Sequence, residues 1–297
     1  MTQDNIKIWI DGEMVDKMEA KVSVFDHAVL YGDGVFEGIR VYNGRIFECK
    51  LHMDRLYESA ERIRLTIPYS REELVTAMEQ CIENNKVETG YIRLVVTRGF
   101  GDLGLNPFNC PRATVFCIAD NIALYPQDLY EKGLRVIKSS FRRCSPDMLD
   151  PRVKSLNYLN NIRAKIEAID EGCLEAVMLN EAGNVAECTG DNIFILKNGK
   201  MYTPNIESGI LVGVTRAVVI MLAKRMGLEV IETELKFEDL QNADEMFLTG
   251  SAAEVIAVTQ VDDVTIGDGK AGETTMKLLK AFRDYIDSGE ELQSFDV

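Results

Sequence analysis

Alternation of apolar and polar positions marks the start of the chain as antiparallel sheet. Residues 6–10 alternate, Asp11-Gly12 supplies a turn, and residues 41–47 read as a hairpin folded at Asn43-Gly44. The period then lengthens to that of helices. Leu56, Ala60, Ile63 and Ile67 recur at helical spacing in a helix predicted over 51–65, and Ser70-Arg71-Glu72-Glu73 has the form of a capping box opening a second helix through about Asn85. Strands are predicted again at 91–97 and 114–119. Strands, two helices and strands compose an α+β domain.

Periodicity breaks over 121–132, which contains Pro126, so an interdomain connection is placed there. It separates a smaller domain, 1–120, from a larger one, 133–297. In the second, 134–139 reads as a strand, and Leu156, Leu159, Ile162, Ile166 and Ile169 mark one face of a helix closed by Gly172. Strands follow at 174–179 and 192–203, the latter folding back at Asn198-Gly199. A helix over 214–226 ends at Gly227. Strands near 229–234, 245–249 and 255–261 precede an amphipathic helix over 274–286.

Composition narrows the classes of function. A hydrophobic content of 46% over 297 residues is enough for a sizeable core. The formal charge of -15 argues against a nucleic-acid partner or a basic membrane-binding face. No apolar stretch approaches the ~20 residues of a membrane span; the longest is Ala217 to Ala223. Seven cysteines without C-x-x-C spacing point to a reducing, cytoplasmic setting rather than a disulfide framework or zinc site, and with only two histidines no metal site is expected.

Several stretches carry candidate chemistry. Lys154 stands just before a helix, with Tyr158 a turn further on. Leu211-Val212-Gly213-Val214-Thr215-Arg216 leads into a helix whose first amides would face an anion, and Thr249-Gly250-Ser251-Ala252 ends a strand in small residues that let a ligand approach the backbone. Glu187 sits where a strand meets a turn. Arg55 lies on the polar side of its helix. Arg93 and Arg98 interrupt the apolar run 91–99, so at least one should meet a carboxylate, from the protein or from a substrate.

Together these stretches resemble the fold-type IV pyridoxal-phosphate enzymes, and most closely the branched-chain amino-acid aminotransferases. The resemblance rests on Tyr31-Gly32-Asp33-Gly34-Val35-Phe36-Glu37-Gly38-Ile39-Arg40, His52-Met53-Asp54-Arg55-Leu56, Tyr91-Ile92-Arg93, Lys154 to Leu159, Glu187 to Phe194, Leu211 to Arg216 and Gly250 to Glu254, in the family's order. It implies an α+β, two-domain fold of the D-amino-acid aminotransferase type: a smaller N-terminal α/β domain and a larger C-terminal domain with a mixed, barrel-like sheet. It implies pyridoxal 5'-phosphate, carried covalently by Lys154, with Glu187 on the pyridine nitrogen and Tyr158 on the phenolic oxygen. Arg55, Val214, Thr215 and Ser251 would hold the phosphate. Tyr31, Phe36, Gly38 and Tyr91 would line the side-chain pocket, and Arg40, Arg93, Ser251 and Ala252 would receive carboxylates.

The activity implied is exchange of the amino group of L-leucine, L-isoleucine or L-valine with 2-oxoglutarate, in a homodimer or higher homo-oligomer, with residues 101–107 as a loop closing the partner's pocket. Two departures leave alternatives. Ser251 stands where threonine is common. Lys154-Ser155-Leu156-Asn157 and Val96-Thr97-Arg98-Gly99 are also similar to D-amino-acid aminotransferases, in which Arg98 would receive the substrate carboxylate, although Phe100 follows where that group tends to carry histidine. An aminodeoxychorismate lyase of the same fold is the other alternative; Phe36 to Arg40 counts against it.

Overall fold

The stretch from Gly34 to Tyr42 is buried along its whole length, and the first part of the structure is arranged around it. The computed structural model describes residues 6–121 and 126–295. It divides into two compact units, Met1–Ile122 with Val153–Asn157, and Ala123–Arg152 with Tyr158–Val297.

In the first unit, β1 (Lys7–Ile10), β2 (Glu13–Asp16) and the short helix α1 (His27–Tyr31) lead to β3 (Gly34–Tyr42) and β4 (Arg45–Ile46). Helices α2 (Cys49–Arg62) and α3 (Arg71–Asn85) come next, then β5 (Gly90–Thr97) and β6 (Val115–Asp120). These six strands form an antiparallel sheet in the order β2-β1-β6-β5-β3-β4. Local chemistry explains several boundaries. Asn43 and Gly44 both take positive φ, 52° and 71°, as a tight hairpin between β3 and β4 requires. Ser70 and Glu73 close a reciprocal capping box at the start of α3. Val35, Ile39, Val41, Ile92, Leu94 and Val96 point from one face of the sheet into a core shared with Met53, Leu56, Ala60, Leu74 and Met78 of the two helices.

The second unit opens with α4 (Gln127–Lys132), β7 (Leu134–Lys138), α5 (Pro146–Leu149) and α6 (Leu159–Asp170). Strands β8 (Glu175–Leu179), β9 (Val185–Cys188), β10 (Asn192–Lys197) and β11 (Lys200–Pro204) precede α7 (Val214–Arg225), β12 (Val230–Thr233) and α8 (Phe237–Gln241). It ends with β13 (Glu245–Gly250), β14 (Glu254–Val261), β15 (Val264–Thr265) and α9 (Glu273–Ser288). The sheet is mixed, in the order β12-β11-β10-β13-β14-β7-β8-β9 with β15 beside β14, and edge strand β9 returns against β10 and β11 so that the sheet curls. Phe194 and Phe247 stack within it, centroids 5.0 Å apart. Helix α7 is buried from Val214 through Ala223, as its nearly continuous apolar sequence demands.

Two particulars differ from the sequence reading. Residues 153–157 pack with the first unit, not with the larger one expected over 133–297, because their backbone pairs with β3. Residues 122–125 of the expected connection lie outside the described residues. The apolar stripe of α6 also faces outward: Asn161, Ala164 and Ala168 are its buried residues, while Leu159, Ile162, Ile166 and Ile169 are exposed. Among the described residues, no helix is long and apolar enough to cross a membrane, and no cluster of side chains could hold a metal ion.

Candidate active site

Strand β3 presents different chemistry on its two faces. Its antiparallel register with β5 sets Phe36 opposite Val95, Gly38 opposite Arg93 and Arg40 opposite Tyr91, so these six share one face. Glu37 lies on the other face, among the apolar residues that meet α2.

The lysine segment is docked onto this strand. Phe36 N–H donates to the Lys154 carbonyl at 3.0 Å, Leu156 N–H donates to the Gly34 carbonyl at 2.9 Å, and Val35 and Ser155 form an antiparallel bridge. Lys154 N–H in turn donates to Ser59 Oγ of α2 at 3.2 Å. Gly34 is obligatory here: a Cβ would stand 2.6 Å from both Leu156 Cδ1 and the Val96 carbonyl oxygen. The outcome is that Lys154 Nζ lies 4.8 Å from the Phe36 ring centroid, and the Arg93 guanidinium lies 4.4 Å from the same ring and 5.5 Å from that of Tyr91. Tyr91 fills the space that Gly38 leaves, where a Cβ would meet its hydroxyl at 1.8 Å.

The two arginines of β5 and its end have different surroundings. Arg98 donates through Nε and Nη2 to Asp33 at 2.8 and 3.0 Å, and through Nη2 and Nη1 to the carbonyls of Ile63 and Arg64, both at 2.8 Å. Half-buried Arg93 has only its aromatic neighbours among the described residues, with no ion pair. Arg98, which would receive the substrate carboxylate in the D-amino-acid alternative, thus has its guanidinium held by Asp33 and two main-chain carbonyls. The Tyr31 hydroxyl donates to the Leu103 carbonyl. Arg40 is buried, with its guanidinium 4.6 Å from the Tyr42 ring.

Arg55 is not the surface charge its helix pattern suggests. It is buried, with Nε and Nη2 donating to Glu37 at 2.8 and 2.7 Å, while His52 Nδ1 lies 2.7 Å from the same carboxylate. Spacing of three and four residues puts His52, Arg55 and Ser59 on one face of α2. Burial alone would raise the Glu37 pKa, but the Arg55 guanidinium and His52 outweigh it and hold the carboxyl well below its usual range. Burial lowers the pKa of His52, Glu37 opposes that shift, and the charges of Arg55 and Lys154 add to it. Sequence reasoning gave Glu37 and His52 no role. The available signal was an acid inside the alternating apolar set Val35, Ile39 and Val41.

In the second unit, Glu187 on β9 is buried with both oxygens engaged. Oε1 accepts from Arg143 Nε at 2.8 Å, and Oε2 accepts from Leu211 N–H at 2.9 Å and Asn192 Nδ2 at 3.4 Å. Asn192 also donates to the Leu211 carbonyl at 3.0 Å, and it pairs across the sheet with Thr249. The turn before α7 and the end of β13 are thus joined through one asparagine. Two glycines permit it, since a Cβ on Gly213 would meet Asn192 Oδ1 at 2.0 Å and one on Gly250 would meet Asp191 Oδ1 at 1.9 Å. Arg143 escaped sequence reasoning because it lies in no periodic element.

This cluster fits an anionic group. Helix α7 starts at Val214 with N-cap Gly213 and no side-chain cap, so its first amides lack a side-chain acceptor, and the Thr215 hydroxyl is buried in its first turn. Thr249 Oγ1 is buried without a hydrogen-bond partner, two residues before half-buried Ser251 and three before Ala252. Tyr158 is half-buried at the N-cap of α6.

Residues 34–261 match the family model described as amino-transferase class IV. The chain belongs to the class IV aminotransferases. Within this family it is 50% identical over 279 residues to a Methanocaldococcus jannaschii protein provisionally named a branched-chain-amino-acid aminotransferase, a match covering 94% of this chain and 96% of that one. It is 37% identical over 286 residues to the D-alanine aminotransferase of Listeria monocytogenes, covering 95% and 96%. The crystal structure of a branched-chain amino acid aminotransferase from T.th., solved with pyridoxamine 5'-phosphate, superposes with a TM-score of 0.92 at 37% identity, covering 96% of this chain and 95% of that one.

The burial of His52 has a measurable consequence. The folded state keeps it neutral while the unfolded chain protonates it near pH 6.5, so stability falls as pH drops below about 6.5 toward the depressed folded value. Denaturant midpoints at about pH 7.5 and about pH 5.5 should therefore differ less in His52→Gln than in the wild type. An equal difference in the two proteins would contradict this account.

Proposed function

We propose that this chain is a branched-chain-amino-acid aminotransferase. It moves the amino group of L-leucine, L-isoleucine or L-valine to 2-oxoglutarate in two half-reactions, with pyridoxal 5'-phosphate as cofactor. It acts in the cytoplasm as a homodimer or higher homo-oligomer in which residues 101–107 reach a partner's pocket. The observation that carries the L-branched-chain reading over the D-amino-acid one is the division of labour between the two arginines. Arg98 is held by Asp33, whereas Arg93 stands beside Phe36, which Lys154 Nζ also approaches, and Tyr91, with no carboxylate partner among the described residues.

When bound, pyridoxal phosphate supplies an electron-accepting ring and an aldehyde carbon that carries the amino group between the substrates. Lys154 would hold the cofactor covalently, and its Nζ, once freed by the incoming amine, would carry the proton between the substrate α-carbon and the cofactor's aldehyde-derived carbon. Glu187 keeps the ring nitrogen protonated, and Arg143, Asn192 and the Leu211 amide fix the direction of its carboxylate. Val214, Thr215, Ser251 and Arg55 bind the phosphate, the last with its guanidinium oriented by Glu37. Tyr158 hydrogen-bonds the cofactor's phenolic oxygen.

Phe36, Gly38, Tyr91 and Tyr31 form the apolar wall of the substrate pocket. Arg93, Arg40, Ser251 and Ala252 receive carboxylates. Accepting a branched aliphatic chain and the charged one of glutamate in alternation requires a cation that can stay stacked on rings when its anion is absent. Arg93 on Phe36 and Tyr91 has that property.

Lys154→Ala should retain cofactor noncovalently, lose the visible absorbance of the covalently held form, and lose nearly all turnover. Near-native transamination by this variant would remove Lys154 from the chemistry. The arginines separate by a second comparison. Arg93→Ala should lower kcat/KM for leucine and glutamate by at least about tenfold with little change in Tm. Arg98→Ala should instead cost roughly 2–4 kcal/mol of stability, the lower end reflecting the partial exposure of Asp33. The reverse pattern would assign the carboxylate to Arg98 and favour the D-amino-acid reading.

A further inference from the structure

The hairpin turn between β13 and β14 places an unusual residue in the left-handed conformation. Gly250 pairs with Glu254, which leaves Ser251, Ala252 and Ala253 as the turn itself. At the Asn43-Gly44 and Asn198-Gly199 hairpins the positive φ angles fall on asparagine and glycine, which tolerate them. Here the residue is the buried Glu254, with φ 57°. Such a side chain stays in that region only where its surroundings hold it there.

Two side chains hold it. The hydroxyl of Tyr130, buried on α4, donates to the Ala253 carbonyl at 3.1 Å. Arg283 Nε on α9 donates to Glu254 Oε2 at 3.3 Å, and the Arg283 guanidinium lies 5.4 Å from the Tyr130 ring centroid. Tyr130 thereby fixes the plane of the peptide joining Ala253 to Glu254, and Arg283 fixes the Glu254 side chain on the other side of the N–Cα bond. Rotation about that bond is φ, so the two contacts together set the strained angle. The front of the turn is left open: Ser251 and Ala252 are half-buried, and their amides donate to no acceptor among the described residues.

We propose that Tyr130 and Arg283 are positioning residues for the substrate, which aim the Ser251 and Ala252 amides at a carboxylate by holding the peptide between Ala253 and Glu254. The inference rests on the proposed reception of carboxylates at Ser251 and Ala252. Amides receive an anion well when their direction is set beforehand, because a turn that must be ordered on binding loses affinity to that ordering. Small residues at 251–253 let a ligand approach the backbone but have no side chains long enough to hold its shape. The brace from α4 and α9 supplies that hold.

Calorimetric titration of the holoenzyme tests this with 4-methylpentanoate, which has leucine's carbon skeleton and carboxylate but no amine to react, and with its neutral amide. The quantity read is the ratio of the two affinities. A general loosening of the fold weakens both ligands alike, whereas misdirected amides weaken the acid more. Tyr130→Phe should lower the acid-over-amide ratio at least about fivefold and Arg283→Met about threefold, while Arg283→Lys, which keeps a cation beside Glu254, should stay within about twofold of the wild type. Tyr130→Phe combined with Arg283→Met should lose less than the product of the single losses, since both residues hold one turn. An unchanged ratio in either single variant, or equal losses of acid and amide, would overturn the proposal. Turnover is not measured, so D-alanine outrunning L-leucine in a donor panel would overturn the substrate reading and leave this comparison intact.

Discussion

The placement of Lys154 depends on two main-chain hydrogen bonds, from Phe36 to the Lys154 carbonyl and from Leu156 to the Gly34 carbonyl. They add three residues from far along the sequence to the edge of β3, and through them Lys154 Nζ comes to the Phe36 ring, which the Arg93 guanidinium also approaches. The pairing needs Gly34, because any side chain there would collide with Leu156 and the backbone of β5. A strand that must pair on both edges, bury one face against helices and leave the other to aromatic and cationic groups has few tolerated sequences. That constraint accounts for the dense succession of Gly34, Phe36, Glu37, Gly38 and Arg40.

Two buried carboxylates show how similar groups are put to different use. Glu37 is enclosed by Arg55 and His52, which compensate its desolvation and leave it ionised at any ordinary pH. Its effect is to fix Arg55 and to tie α2 to β3. Glu187 is held by one arginine, one main-chain amide and one asparagine, all linked to the turn that opens α7. Because the same elements orient this carboxylate and present the helix amides, the proposed contacts of Glu187 with the ring nitrogen and of the amides with the phosphate would keep a fixed relation. Asn192 and the glycines at 213 and 250 make that coupling possible.

The sequence disclosed what is decided locally. Asn43-Gly44 and Ser70 to Glu73 specify a turn and a cap within four residues, and both stand where they are expected. The alternation of β5 and β6 and the continuous apolar run of α7 are equally plain. What depends on distant partners was not legible. Arg93 and Arg98 look equivalent in a strand, and only the position of Asp33, 65 residues earlier, separates them. Arg55 reads as solvated because its partner Glu37 is on another element. The stripe of α6 was visible, but periodicity tells that a face is apolar and not whether the same chain covers it. Lys154 is legible only through resemblance, since its place follows from pairing with β3.

The central claim is that Arg93, with the Phe36 and Tyr91 rings, selects L-amino acids with branched aliphatic chains. It is tested most directly by a panel of L- and D-amino acids as donors to 2-oxoglutarate. The account predicts that L-leucine, L-isoleucine and L-valine are the best donors and that D-alanine is slower by about two orders of magnitude. D-alanine turning over faster than L-leucine would contradict it.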